Sequence, residues 1–517
     1  MRRRDLIIGA ASLPFAAGYL AQLMESGALA QSAPAKPADQ GQPFNAAQVR
    51  QIAHDMAQKP YKAPETKLPD NLSDMSYDTY RDIRFKPDHA LWHGENLPFE
   101  VQLFHRGFLY TQRVEVFTVH DGRSFQVNYS PDLFTFGPKI KTPPPQGANL
   151  GFSGFRIHGP INRPDYYDEI AVFQGASYFR SLAKGQTYGL SARGLAIKTA
   201  DPSGEEFPSF KTFWIERPMP GTNSIVVHAI LDSESASAAY RFSIRPGDET
   251  IFDVEMAIYP RADIDKVGLG PLTSMYYFGS NDRDSVDDFR PNVHDSDGLA
   301  IWTGRGERLW RPLSNPQELQ ISVFSDANTR GFGLMQRERR FAEYEDLEAR
   351  YETRPSLWVE PIGDWGEGGM YLIEIPTRGE IHDNIVAFWR PQDTLKKGAE
   401  YIYTYRLHWC SENPFNPQVA TVIGTRAGAV DEDTRLFVID VKGEKLKDIP
   451  LDDNVHVAVT NSAGKVQHVV VQPNPNTGGW RFSFQLVPED ATLVELRAQL
   501  MRGDEALSEV WLYRWTA

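Results

Sequence analysis

Period-two alternation constrains this chain more than any other feature. Tyr240-Arg-Phe-Ser-Ile244 and Phe252-Asp-Val-Glu-Met-Ala-Ile258 flank the turn Arg245-Pro-Gly-Asp-Glu249. Each arm alternates apolar and polar residues, so each buries one face and wets the other, as antiparallel strands do. The rhythm recurs at Phe99, Val101 and Leu103, at Val114 and Val116, and at Phe125, Val127 and Tyr129, with His120-Asp121-Gly122 as a turn. It returns at Phe152 to His158, Asp168 to Gln174, Tyr188 to Ile197, Leu319 to Leu334 and Tyr401 to Trp409. Many short strands and few helical windows predict a mainly β fold, an antiparallel sandwich. The helical windows are Val49, Ile52 and Met56 behind the cap Asn45, a turn or two in Tyr77 to Ile83, and Glu343 to Tyr351.

A chain of 517 residues suggests two or three domains. A break falls at Asn413-Pro-Phe-Asn-Pro417, dividing a sandwich over residues 44–412 from a second unit over 413–517. The second unit reads as strands at Leu436 to Val441, Val455 to Val459, Val466 to Val471, Trp480 to Leu486, Val494 to Leu500 and Val510 to Trp515. Its size and rhythm resemble an immunoglobulin-like sandwich without the cysteine pair of antibody domains. Residues 31–43 read as a flexible Pro/Ala linker. Residues 1–30 read as a signal peptide, with Arg2-Arg3-Arg4 before a weakly apolar stretch and Ala28-Leu29-Ala30 as cleavage site. The arginine pair and weak hydrophobicity point to the twin-arginine route into the periplasm, with a Sec signal as the alternative.

The net charge of −14 argues against nucleic acid or an anionic membrane surface as partner and permits a neutral glycan. Cys410 is the single cysteine, so an intramolecular disulfide and a cysteine-rich zinc site are excluded. It reads as core, within the apolar YRLHWC run.

Three wet, turn-rich acidic stretches could carry chemistry. The first is Phe289 to Leu313, with His294, Asp295 and Asp297 followed by Trp302, Trp310 and Arg311. The others are Gly363-Asp-Trp-Gly-Glu-Gly-Gly369 and Glu380-Ile-His-Asp-Asn384, the latter entering the strand Ile385 to Trp389. Carboxylates move protons, flat rings stack on sugar faces and arginine forks bind hydroxyls, so this composition suits a carbohydrate site. The bland alternative makes Asp295, Asp297 and Asp383-Asn384 turn residues that cap backbone amides. Asp383 precedes an apolar run, so partial desolvation would raise its pKa and favour an acid role. Trp365, in a Gly-rich loop, reads as the tryptophan least suited to the core. No metal-ligand spacing is present, and no G-x-S-x-G elbow supports a serine triad.

HDSDGL followed by W-x-x-x-x-x-x-x-WRPLSNP, GFGLMQRERRFAEYEDLEARYETRPSLWVEPIGDWGEG and EIPTRGEIHDNIVAFWRP resemble the periplasmic glucan biosynthesis proteins of the OpgG/OpgD (MdoG/MdoD) family. The likeness covers nearly the whole mature chain, and the arginine pair tilts it towards the OpgD branch. The resemblance implies a large galactose-mutarotase-like β-sandwich and a C-terminal immunoglobulin-like domain; no cofactor and no metal are expected. It implies work on osmoregulated periplasmic glucans with a β-1,2-linked glucose backbone, as an inverting endo-acting hydrolase. A transglycosylase on the same glucan, or a non-catalytic scaffold for a membrane glucan synthase, stays open, and a homodimer is implied by likeness. Carried over, Asp383 matches the general acid and Asp295 the general base, with Asp297 as the alternative base. His294, Asp297, Arg290, Arg311, Trp365, Tyr344 and Trp358 are the residues expected to orient sugar and water.

Overall fold

The structure, a computed structural model, describes residues 40–283, 286–415, 417–450 and 454–517. The leader at residues 1–30 and most of the linker lie outside them. At the end of the expected linker Gln42–Pro43 is not free: it pairs with Ser124 and Arg123 at a sheet edge.

The fold is mainly β, its sheets built chiefly from antiparallel pairs. The hairpin that alternates most clearly in sequence forms the strands Ala236–Arg245 and Thr250–Pro260, in register at Tyr240↔Met256, Phe242↔Val254 and Ile244↔Phe252. Those six side chains are buried, whereas Arg241 and Glu255 pair on the outer face at 3.2 Å. This hairpin lies inside a sixteen-stranded sheet that faces a ten-stranded one. Aromatic rings fill the space between them: Phe155 meets Phe213 at 4.9 Å between centroids and Phe173 meets Phe242 at 5.3 Å. Rings of this size remove enough apolar surface from water to make the layer the main core.

Asn45 closes a capping box with Gln48 at the start of the helix Ala46–Ala57. Its buried stripe is Val49 and Ala53, with Ile52 exposed on the shoulder, so the sequence spacing placed the face slightly off. The helix covers the outer face of the large sheet at Trp214, Ile230, Ala239 and Tyr259. The helix expected over Glu343 to Tyr351 does not form; only short 3-10 turns occur, at Phe341–Glu343 and Tyr351–Thr353. Asp346 explains this, because its carboxylate accepts the backbone N–H groups of Glu348 and Ala349 at 2.9 and 2.7 Å. A side chain that captures nearby amides competes with helical bonding.

Beyond residue 420 the chain forms a four-stranded sheet, Thr421–Ala429, Arg435–Lys442, Gly479–Val487 and Lys465–Asn474, opposite further strands. Those further strands are not separate from the first unit. Val510–Thr516 runs parallel to Arg308–Pro312, with Leu309↔Val510 and Trp310↔Trp511, so the large sheet continues through both units. Arg337 reinforces the junction: it donates to Val422 O at 2.7 Å, salt-bridges the buried Glu509 and lies 3.5 Å above the Trp310 ring. Among the described residues no helix is long and apolar enough to cross a membrane.

Candidate functional site

Asp383 stands at the entry of the strand Ile385–Pro391 in the ten-stranded sheet. Its neighbour Asn384 does the structural work of that turn. Asn384 Oδ1 accepts Tyr276 N–H at 2.8 Å, and Asn384 Nδ2 donates to Ile375 O at 3.0 Å. The Asp383 carboxyl is thereby left for other use. Its Oδ2 is buried without a hydrogen-bond partner, 3.6 Å from the Arg180 guanidinium. Burial pushes its pKa up to about 6; Arg180 and Arg354 oppose that rise, and the negative charge of Asp295 adds to it.

Asp295 comes from the other side, between the short strand Val293–His294 and Gly298–Trp302 of the large sheet. Its backbone N–H donates to Met275 O at 2.8 Å, and its carboxylate forms a salt bridge with Arg354. Arg354 in turn lies 4.2 Å from the Tyr351 ring centroid and donates through Nε to Ala349 O at 3.2 Å, so its fork is fixed before any ligand arrives. Tyr110 and Tyr178 complete the surroundings of Asp383. Burial holds both phenols above their ordinary range, and the Tyr178 hydroxyl has no partner. Two carboxyls in contrasting environments, one desolvated and one salt-bridged, are what separates an acid from a base.

Asp297, two positions on, faces elsewhere. Its Oδ2 accepts the N–H groups of Arg337 and Glu338, both at 3.1 Å, while its Oδ1 is buried and unpartnered. Burial pushes this carboxyl up to about 6 as well, against the pull of Arg337. With His294, Asn281, Glu338 and Arg426 it lines a cavity of ≈ 80 Å³ at the junction of the two units. His294 is stacked on Tyr276 at 5.3 Å, and its Nδ1 meets Gln336 Oε1 at 2.9 Å. Gln336 Nε2 donates to His294 O, which fixes the amide's orientation and makes Nδ1 the protonated nitrogen. Burial lowers the His294 pKa to about 4.

The other expected sugar contacts need correction. Trp365 is 4 % exposed, its ring edge-on to Tyr403 and Tyr405 in the main core, so the Gly-rich loop turns its one large side chain inwards. Trp358 is buried where the two units pack. Arg311 is buried against Glu374, 3.2 Å away, an ion pair closed on both sides. Tyr344 is buried between His294 and Tyr351, and its hydroxyl donates to Glu338 O at 3.2 Å. Arg290 spends its donors on protein carboxylates. The residues that sequence reasoning missed are Arg180, Arg354 and Tyr178. Arg180 had one visible signal: in the strand Tyr178–Ser181 it alternates with buried Phe179, and a half-buried strand arginine needs an acidic partner. Among the described residues no group of three or more His, Cys, Asp or Glu side chains could hold a metal ion.

Fold and site together define a β-sandwich protein in which Asp383, at a strand entry of one sheet, and Asp295, just before a strand of the other, each pair with an arginine of their own. The chain belongs to the family described as "Periplasmic glucan biosynthesis protein, MdoG", which matches residues 44–515. It is 56% identical to a glucans biosynthesis protein G of Rhodopseudomonas palustris (strain BisA53) over 100% of both chains. It is 54% identical to that of Bradyrhizobium diazoefficiens, again over 100% of both. A Vibrio cholerae glucans biosynthesis protein G is 53% identical over 90% of this chain and 86% of the relative. These relatives carry the G designation, whereas the leader tilted the likeness towards the D branch.

Proposed function

We propose that this chain works in the periplasm on β-1,2-linked glucan as an endo-acting glycoside hydrolase of inverting type, with Asp383 as general acid and Asp295 as general base. The observation that carries the reading is the Asp383 carboxyl, whose Oδ2 is buried without a hydrogen bond 3.6 Å from Arg180 and which is held up to about 6, beside a salt-bridged Asp295. A carboxyl in that state keeps a proton in mildly acidic solution and passes it to the glycosidic oxygen as the bond to the anomeric carbon breaks. Asp295 takes a proton from the attacking water, directly or through an intervening hydroxyl. Inverting pairs stand roughly 6.5–9.5 Å apart to admit that water. Arg180 and Arg354 hold both carboxyls in place as charge shifts between them.

The test is incubation of the mature protein with linear β-1,2-glucan, followed by analysis of products and reducing ends. New reducing ends from the wild type and none from Asp383→Asn support hydrolysis; intact glucan from both sinks the enzyme reading and leaves a glucan-binding scaffold for a membrane synthase. A second reading has its own support: the relatives are named for biosynthesis, which favours transfer of the cleaved chain to another sugar hydroxyl. Transfer redistributes length or closes rings without new reducing ends. Export by the twin-arginine route is part of the proposal, and a paired Arg2→Lys, Arg3→Lys variant should then accumulate uncleaved in the cytoplasm.

A further inference from the structure

Arg290 uses nearly all of its hydrogen-bonding capacity within the protein. Nε and Nη2 grip the two oxygens of Asp288 at 3.0 and 2.8 Å. Nη1 reaches Asp346 Oδ2 at 2.7 Å and Glu380 Oε2 at 2.8 Å. One guanidinium thus satisfies carboxylates from three separate loops, a use for which its planar fork is suited. Asp288 lies on the segment leading to Asp295, Asp346 on the loop that failed to become a helix, and Glu380 three positions before Asp383. Glu380 also accepts the Tyr351 hydroxyl at 2.9 Å, and the Tyr351 ring supports the Arg354 that salt-bridges Asp295.

Asp383 therefore sits between two anchors. Asn384 ties its far side to the sheet, and Glu380 ties its near side to Arg290. Only Ile381 and His382 lie between the near anchor and Asp383, which leaves little slack. Without the cation, three carboxylates that now converge on one point would repel, and the loops carrying them would part.

We propose that Arg290 is a positioning residue that sets the separation of Asp295 and Asp383 by clasping the Glu380 loop to the segment that leads into Asp295. This rests on the reading of those aspartates as acid and base, and it removes Arg290 from the residues that touch sugar. Misplacing a reacting group by about 1 Å costs on the order of 10²-fold in rate, so that is the scale of effect.

The experiment compares wild type, Arg290→Ala and Arg290→Lys for kcat and KM on linear β-1,2-glucan, and for hydrogen exchange of residues 376–384. Arg290→Ala should lose kcat on the order of 10²-fold with KM unchanged, and residues 376–384 should exchange faster. Arg290→Lys, which restores charge without the fork, should recover part of both. A wild-type kcat in Arg290→Ala, unchanged exchange, or a loss expressed in KM as for a sugar contact each overturns the proposal. Should Arg290→Ala fail to fold, Asp346→Asn, which removes one arm of the clasp, must show the same pattern in smaller size or the proposal falls. If the wild type itself turns over no glucan, the functional reading fails, and the exchange measurement alone decides whether the clasp exists.

Discussion

Asp295 and Asp297 are separated by one serine and belong to different parts of the molecule. Asp295 meets Arg354 and the field of Asp383, where the two sheets come together. Asp297 meets the backbone of Arg337 and Glu338 at the junction with the C-terminal strands. Both sit in acidic, turn-rich sequence and look alike there. The difference teaches that an aspartate's role is set by what the rest of the fold brings to it: an arginine fork and a second carboxyl on one side, amides and a small cavity on the other.

The largest effect should come from the pair itself. Asp383→Asn and Asp295→Asn should each lower glucan turnover by roughly 10²- to 10⁴-fold, the span of general acid–base contributions, whereas Asp297→Asn should stay within about tenfold of wild type. Reducing-end assays on the three variants measure this; equal losses from Asp295→Asn and Asp297→Asn would erase the contrast. Next in size is the junction. Arg337→Ala removes the ion-pair partner of the buried Glu509 and leaves it the Val422 N–H, and removing one partner of such a pair costs about 3–5 kcal/mol, readable by denaturant melts.

A smaller effect concerns stability against pH. The Asp383 carboxyl ionises near 3.8 when unfolded and near 6 when folded, so the folded state binds more protons between those values. Stability from this group is complete below about pH 4 and is lost as pH rises through 6. Asp383→Asn escapes that loss and should be more stable than wild type at pH 8 by up to about 3 kcal/mol, with no gain at pH 4. Thermal melts at the two pH values check the sign. The smallest effect is on rate: because the acid must hold its proton, turnover should fall about tenfold per pH unit above pH 6.

The fold was legible wherever one face of a strand is buried and the other wet, since that condition writes itself into sequence as alternation. Tyr240 to Ile258 is the clearest case. Thr421–Ala429 carries no such pattern, with two glycines and a mixed face, and was not foreseen. Glu343 to Tyr351 has helical composition, yet Asp346 and Arg290, from different stretches, override it. In the candidate site, sequence singled out Asp383 only because it precedes an apolar run; that Asn384 alone satisfies the turn is visible only in the fold. The arginine that pairs with Asp295 could not be read off, because Arg354 lies 59 positions away and only the fold unites them. Trp365 misled for a related reason, as exposed glycine neighbours say nothing about the direction of a ring.

The parallel pairing of Arg308–Pro312 with Val510–Thr516 bears on how fast this protein can reach its native state. The partners Leu309 and Val510 stand roughly two hundred positions apart, so their contact demands closure of a very large loop. Such non-local pairings form slowly, and until this one forms the strand Arg308–Pro312 presents unpaired backbone to any neighbouring chain. The interval between collapse of the sandwich and docking of its final strand is therefore the window in which the protein is most prone to aggregate, and a chaperone that covers that edge would shorten the risk without altering the finished structure.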